Sequence, residues 1–414
     1  MQFSKSVRVA AAGLVISIGA SAQTITPIAE TGMVITGIGT VNFVTAVAVD
    51  DSGHVLVCVQ TDNPNPDLAW AVLDESGTPV LYAGQSVAQP AGAVIRDFYG
   101  STLGIGPTGK PSATITLLNT PGGTTDNHGI YCDLPLQLQA QQSVVSTAPE
   151  LNAGSTFQLF LYPKLNTSDQ VCFHSVVDDP SISGQFDTPA LFLIDALSGS
   201  QHVVAKRGDI LPGQTYAISD FGWNRNQLSI DSSGHLMYVV TTYNVSSLNS
   251  NIYLDHTKIA QGGDISPFGS SYLSFSSVAL DDQDNYLFRC HLNDPFGEYG
   301  IVSNAAAIVQ VGDSFPSIEP FQINYLGTPL FLGNDGRVIW TGTWDSAAGP
   351  QGTGIFADYA LLVSVGGTVI HGVPVQELTL VDGSLTLSQS GQYLVFLARL
   401  ADNTVGAYRI NLWQ

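Results

Sequence analysis

A four-residue turn leading into an apolar strand recurs seven times along the 414 residues, and this recurrence restricts the chain more than any single motif. The copies are Asp50-Asp51-Ser52-Gly53, Gly106-Pro107-Thr108-Gly109, Asn166-Thr167-Ser168-Asp169, Asp231-Ser232-Ser233-Gly234, Asp281-Asp282-Gln283-Asp284, Gly333-Asn334-Asp335-Gly336 and Ser388-Gln389-Ser390-Gly391. Gly, Asn and Asp tolerate the left-handed backbone that a tight hairpin requires. The spacing of roughly 50 to 65 residues is that of a repeat array.

The copy at 328–367 displays the unit most clearly. Pro329 to Leu332, Arg337 to Trp344, Gly354 to Asp358 and Ala360 to Val365 read as four strands of one up-and-down sheet. Such a sheet needs neighbours on both faces. The second strands, for example Val55 to Val59 and Tyr393 to Leu397, are almost continuously apolar, as expected when both faces are covered. First strands are expected at 44–49, 101–105, 160–165, 227–230, 277–280, 328–332 and 384–387. The fold class predicted is therefore all-β, a seven-bladed β-propeller of four-stranded antiparallel blades.

A second element repeats at the end of the fourth strand. Gly208-Asp209 with Pro212, Gly263-Asp264 with Pro267 and Gly312-Asp313 with Pro316 are complete copies; Gly32, Gly84 and Gly366 keep the glycine, and the second repeat, around Leu136 to Ser146, lacks it. Gly32 precedes the first full repeat, whereas the last repeat stops at Ala407 to Trp413, a third strand with no fourth. The N-terminal strand at 24–32 is expected to join the C-terminal blade and close the ring, which removes an exposed edge.

Met1 to Ala22 reads as a signal peptide: Lys5 and Arg8, an apolar run from Val9 to Ile18, then Ala20-Ser21-Ala22 before Gln23. The apolar run is too short to span a bilayer as a helix. Residues 23–414 are expected to form a single exported domain, periplasmic or extracellular, without membrane insertion and monomeric. A formal charge of −21 with no basic patch argues against nucleic acid as a partner.

The chain resembles exported bacterial β-propeller repeat proteins in which an N-D-x-G turn and strand alternate with a G-D-x-x-P-G element. Here these are Asp231-Ser232-Ser233-Gly234 and Gly208-Asp209-Ile210-Leu211-Pro212-Gly213. The resemblance covers nearly all of 23–414 and implies a propeller; it brings no activity and no catalytic residues.

Propeller ligands are usually met where the fourth-to-first and second-to-third connections share a face. On the first kind the candidates are Arg96, Asp97 and Tyr99, then Trp223 and Arg225, then Asn324 and Tyr325: aromatic faces beside hydrogen-bonding groups that suit a sugar or a protein partner, or that cover the blade ends. Arg289 and His291 alternate in an otherwise apolar strand ending near Asp294. A buried arginine needs a partner, either a carboxylate of the next blade or a ligand at the strand's loop end. Acidic residues of the second-to-third loops, among them Asp62, Asp67, Asp178, Asp179 and Asp345, suit solvated turns, calcium or glycoside chemistry. Cys58, Cys132, Cys172 and Cys290 fall in separate repeats without metal-binding spacing and are expected as buried thiols. No cofactor is called for, calcium being the one ion considered. The favoured reading is a non-enzymatic binding or scaffold propeller for protein or glycan; the alternative is a secreted carboxylate- or calcium-dependent glycoside hydrolase or lyase.

Overall fold

The computed structural model describes residues 24–413, excepting 99–102, 182–187, 223, 245–246, 295–297, 346–351 and 382. The expected signal peptide lies outside the described residues. Seven antiparallel sheets follow one another along the chain, giving a seven-bladed β-propeller. The blades occupy 34–82, 94–141, 156–206, 218–261, 271–310, 323–364 and 369–411, and are numbered 1 to 7 in that order. Ile25–Glu30 lies antiparallel beside Val405–Asn411 as the outermost strand of blade 7, Ile25 opposite Ile410 and Glu30 opposite Gly406.

The core is seven interfaces rather than one interior. Each hydrophobic cluster joins two adjacent blades, and in every blade but the second the apolar second strand serves two clusters at once; in blade 2 Ala113, Ile115 and Leu117 join the cluster with blade 1, while the alternate positions are the buried Ser112, Thr114 and Thr116. In blade 1, Val55, Val57 and Val59 pack towards blade 7 while Leu56 and Cys58 pack towards blade 2. In blade 7, Val395 and Leu397 face blade 1, and Leu394 and Phe396 face blade 6. Alternation still operates, but both faces are dry. All four cysteines are free and buried within these interfaces.

The recurrent turns have one geometry. Gly53, Gly109, Asp169, Gly234, Asp284, Gly336 and Gly391, the fourth residue of each, all have φ between 57° and 91°. The first residue organises the turn where it is Asp or Asn: Asp50 Oδ1 accepts from the Ser52 and His54 amides, and Asp231, Asp281 and Asn166 repeat the pattern. Neighbouring turns are also stitched together. The Ser232 amide donates to Asp282 (2.8 Å), the Asp282 amide to Asn334 (2.9 Å), the Asn334 amide to the Gln389 carbonyl (2.7 Å) and the Ser390 amide to Asp51 (2.5 Å).

The second repeated element clasps each blade to the next. Gly32, Gly84, Gly208, Gly263, Gly312 and Gly366 donate their amides over 2.7–2.9 Å to the carbonyls of Val41, Ile95, Ile218, Tyr272, Ile323 and Val375, near the start of the following first strand. Each glycine has positive φ. In the repeat without the glycine, Ser143 takes φ 62° and makes the same bond to Phe157. The aspartates that follow turn back on their own strand: Asp209, Asp264 and Asp313 accept the amides of Lys206, Gln261 and Gln310.

First strands begin earlier than expected. Val94–Phe98, Ile218–Phe221 and Ile323–Leu332 are strands, so Arg96, Asp97, Asn324 and Tyr325 lie on sheets and not in fourth-to-first loops. A β-bulge explains the discrepancy: every first strand shifts register after the clasped residue, for example between Ile95 and Asp97 and between Ile323 and Tyr325. The extra residue breaks the alternation by which the strand would be read.

Candidate functional site

In blade 5 the second strand Tyr286–Asn293 sends Leu287, Arg289 and His291 towards blade 6 and Phe288, Cys290 and Leu292 towards blade 4. Arg289 is 3 % exposed. Its partner is not a carboxylate among the described residues. One Nη donates to Ser276 Oγ (2.6 Å), the other to the Leu326 carbonyl of blade 6 (2.8 Å), and its Nε is buried without an acceptor. Aromatic faces supply the remaining compensation: the guanidinium carbon lies 3.8 Å from the Tyr299 ring centre and 5.6 Å from that of Tyr325. Burial pulls the guanidinium pKa down from its ordinary value, and the tyrosine oxygens oppose the shift.

Above this cation the rings form a platform. His291 stacks on Tyr299 with centroids 4.8 Å apart and planes at 21°, because the two are cross-strand partners. Tyr299 meets Tyr325 of blade 6 edge-on at 6.4 Å. Tyr325 is 46 % exposed, so the platform reaches solvent. Beside it, Asn324 donates to Asp345 (2.7 Å) and accepts from Thr343 Oγ1 (2.5 Å). Asp294, at the end of the His291 strand, accepts the Glu298 amide (3.1 Å).

Arg289, His291, Asn324 and Tyr325 are thus brought together, with Asp294 at the edge. Sequence reading missed Tyr299, whose signal was its register opposite His291. The remaining candidates sit elsewhere. Arg96 pairs with Asp67 of blade 1 (2.8 Å) and lies 3.8 Å from Asp97, an exposed ion pair of modest worth. Arg225 points into the channel, its Nη2 donating to the Leu103 carbonyl of blade 2 (2.7 Å). Tyr99 and Trp223 lie outside the described residues.

The acidic loops are largely occupied with their own backbone: Asp62 accepts the Thr40 amide, Asp126 that of Gly122, and Asp179 those of Ser181 and the Asn152 side chain. Among the described residues, Asp231, His235 and Asp284 bring one ligand atom each within 4.8 Å. Two carboxylates and an imidazole are a poor match for calcium, which takes six or more oxygens. His235 Nδ1 lies 2.9 Å from Asp284 and 3.2 Å from Asp231, and the Asp284 hydrogen bond raises its pKa. This is an ion-paired joint between blades 4 and 5.

The channel itself holds a cavity of about 360 Å³ at the end carrying the tight turns, opposite the platform. All seven first strands contribute to its wall.

Residues 3–295 match a family described as "Family of unknown function (DUF7453)". No curated protein matches the sequence. Among solved structures, TolB from Acinetobacter baumannii is similar at 10 % identity and TM-score 0.40, over 86 % of this chain and 77 % of that one. An oligogalacturonate lyase from Vibrio parahaemolyticus is similar at 9 % and 0.44, over 94 % and 98 %. An oligogalacturonate lyase in complex with manganese is similar at 9 % and 0.46, over 95 % and 99 %. Likeness at this level carries no chemistry to the present chain.

Proposed function

The chain belongs to the family of unknown function DUF7453, membership of which brings no activity with it, and from the site itself we propose a non-enzymatic binding propeller whose ligand is a glycan. The signal-peptide-like residues 1–22 support export, and with it a periplasmic or extracellular place of work. The observation that carries the reading is the platform of His291, Tyr299 and the half-exposed Tyr325, held from beneath by Arg289. The half-exposed Tyr325 ring offers the C–H side of a sugar a surface that loses little entropy on binding, while the exposed Asp345 carboxylate, held by Asn324 through one hydrogen bond, keeps further lone pairs for its hydroxyls. Asp294, Glu298 and Asp345 around the rim disfavour a polyanionic chain. A neutral oligosaccharide fits that charge.

The test is a neutral-glycan array followed by calorimetry with any hit, on the native protein and Tyr325→Ala. Saturable binding that Tyr325→Ala weakens by about tenfold or more supports the reading. A blank array beside a protein captured through the same face would shift the ligand to a polypeptide. Release of cleaved sugar from the same incubations would favour the hydrolase or lyase.

A further inference from the structure

We propose that a cavity between blades 4 and 5, beside the outermost strand of blade 4, is a second ligand site, built for a small organic ammonium cation with an apolar body. Its volume of about 340 Å³ lies within the range of small-molecule pockets. Residues 264–267 of the connection between the two blades supply one wall, and Tyr272, Tyr286 and Phe288 of blade 5 supply another. Phe268 pins the connection: its ring seats so closely on Gly300 of blade 5 that a Cβ there would lie 2.4 Å away.

Three hydroxyls of these walls, on Ser266, Tyr272 and Tyr286, have no hydrogen-bond partner among the described residues. Ser266 is 4 % exposed and Tyr272 6 %, and a polar group buried that far without a partner is costly. Burial first, then Cys290, Tyr286 and Asp264, raise the Tyr272 pKa, which puts a second phenol and a carboxylate in its neighbourhood. Asp264 accepts the Gln261 amide with one oxygen (3.0 Å), and its other oxygen has no partner among the described residues. Its counterpart Asp209, one blade earlier, is ion-paired with Lys206 (3.3 Å). None of the residues lining the cavity is basic. An ammonium group brings three N–H donors and no acceptor, which suits hydroxyl oxygens and a carboxylate. The rings add to this: Tyr286 lies near-parallel to Phe288 at 15° and Tyr272 at 69° to it, and such π faces favour a cation over its neutral analogue. Ile259, Ile265 and Pro267 are left for the apolar body.

Phenethylammonium and 2-phenylethanol, one ring with and without the charge, are titrated calorimetrically into the native protein. Phenethylammonium is also titrated into Asp264→Asn, which keeps an acceptor for the Gln261 amide, into Tyr272→Phe, which keeps the ring, and into Tyr325→Ala of the platform. Saturable phenethylammonium binding is expected, at least about tenfold tighter than 2-phenylethanol, weakened about tenfold in Asp264→Asn and about fivefold in Tyr272→Phe, and unchanged in Tyr325→Ala. Absence of saturable binding, equal affinity for 2-phenylethanol, unchanged affinity in either cavity variant, or loss of binding in Tyr325→Ala would overturn the proposal. Should a cavity variant fail to fold, the comparison of the two compounds on the native protein decides it with the other variants.

Discussion

Arg289 of blade 5 lays its guanidinium 3.8 Å from the ring centre of Tyr299 while donating to the Leu326 carbonyl of blade 6. One side chain thus ties two blades and sets the tilt of an aromatic platform. Removing it takes away the donors to the Leu326 carbonyl and Ser276 and opens a void between dry faces. Arg289→Ala is expected to lower the unfolding free energy by about 2–4 kcal/mol, measured by denaturant titration. Arg289→Lys should recover less than half of that, because a lysine cannot stack and fork at once. Full rescue by lysine would show that charge alone matters there.

The clasp glycines separate backbone strain from crowding. A Cβ built on Gly208, Gly263 or Gly312 meets nothing within 4 Å, yet all three have φ above 90°. Each Gly→Ala substitution is expected to cost about 1–2 kcal/mol through conformation alone. Substituting Gly336, which has φ 80° and equally open surroundings in a turn, should cost a similar amount. Thermal melts of the four variants check this, and a cost near zero at the clasps would mean the left-handed conformation is not required.

These same glycines show what a sequence can and cannot carry. The turns were legible because left-handed geometry at the fourth position restricts residue choice to types that stand out, five glycines and two aspartates here. The Gly-Asp element was legible as a recurrence, but its purpose depends on a partner carbonyl in the next blade. The bulges were not legible: an added residue such as Asn324 shifts register without leaving a mark of its own. Arg289 and His291 announced themselves by alternation in an apolar strand, whereas Tyr299 looked like any strand aromatic until its register opposite His291 was known. The channel cavity followed from no pattern, since its wall comes together only once seven strands share an axis.

Cys58, Cys132, Cys172 and Cys290 are at most 2 % exposed, and burial pushes each thiol pKa up, to about 12 for Cys58, Cys172 and Cys290. A thiolate is the reactive form. Native protein at mild alkaline pH should therefore give no fast reaction with a disulfide reagent, and all four thiols should titrate after unfolding in guanidinium chloride. Fewer than four after unfolding without reductant would reveal a bridge.

The histidines give stability a two-sided dependence on pH. His174 is 1 % exposed, and burial lowers its folded pKa to about 3 from an unfolded 6.5. Neutral His174 favours the fold above that unfolded value. Below it the unfolded chain binds a proton that the native state refuses, so stability falls by about 1.4 kcal/mol per pH unit between about pH 6.5 and 5, before most carboxylates titrate. His54 and His235 act oppositely. Hydrogen bonds that their rings donate to Asp50 and Asp284 raise their folded pKa, so their contribution is complete below 6.5 and is lost as pH rises through the raised values. Urea midpoints across pH 5 to 8 should pass through a maximum near neutrality. His174→Phe is expected to flatten the acid limb, and the double variant His54→Asn/His235→Asn the alkaline one. An acid limb unchanged in His174→Phe would place the protonation elsewhere.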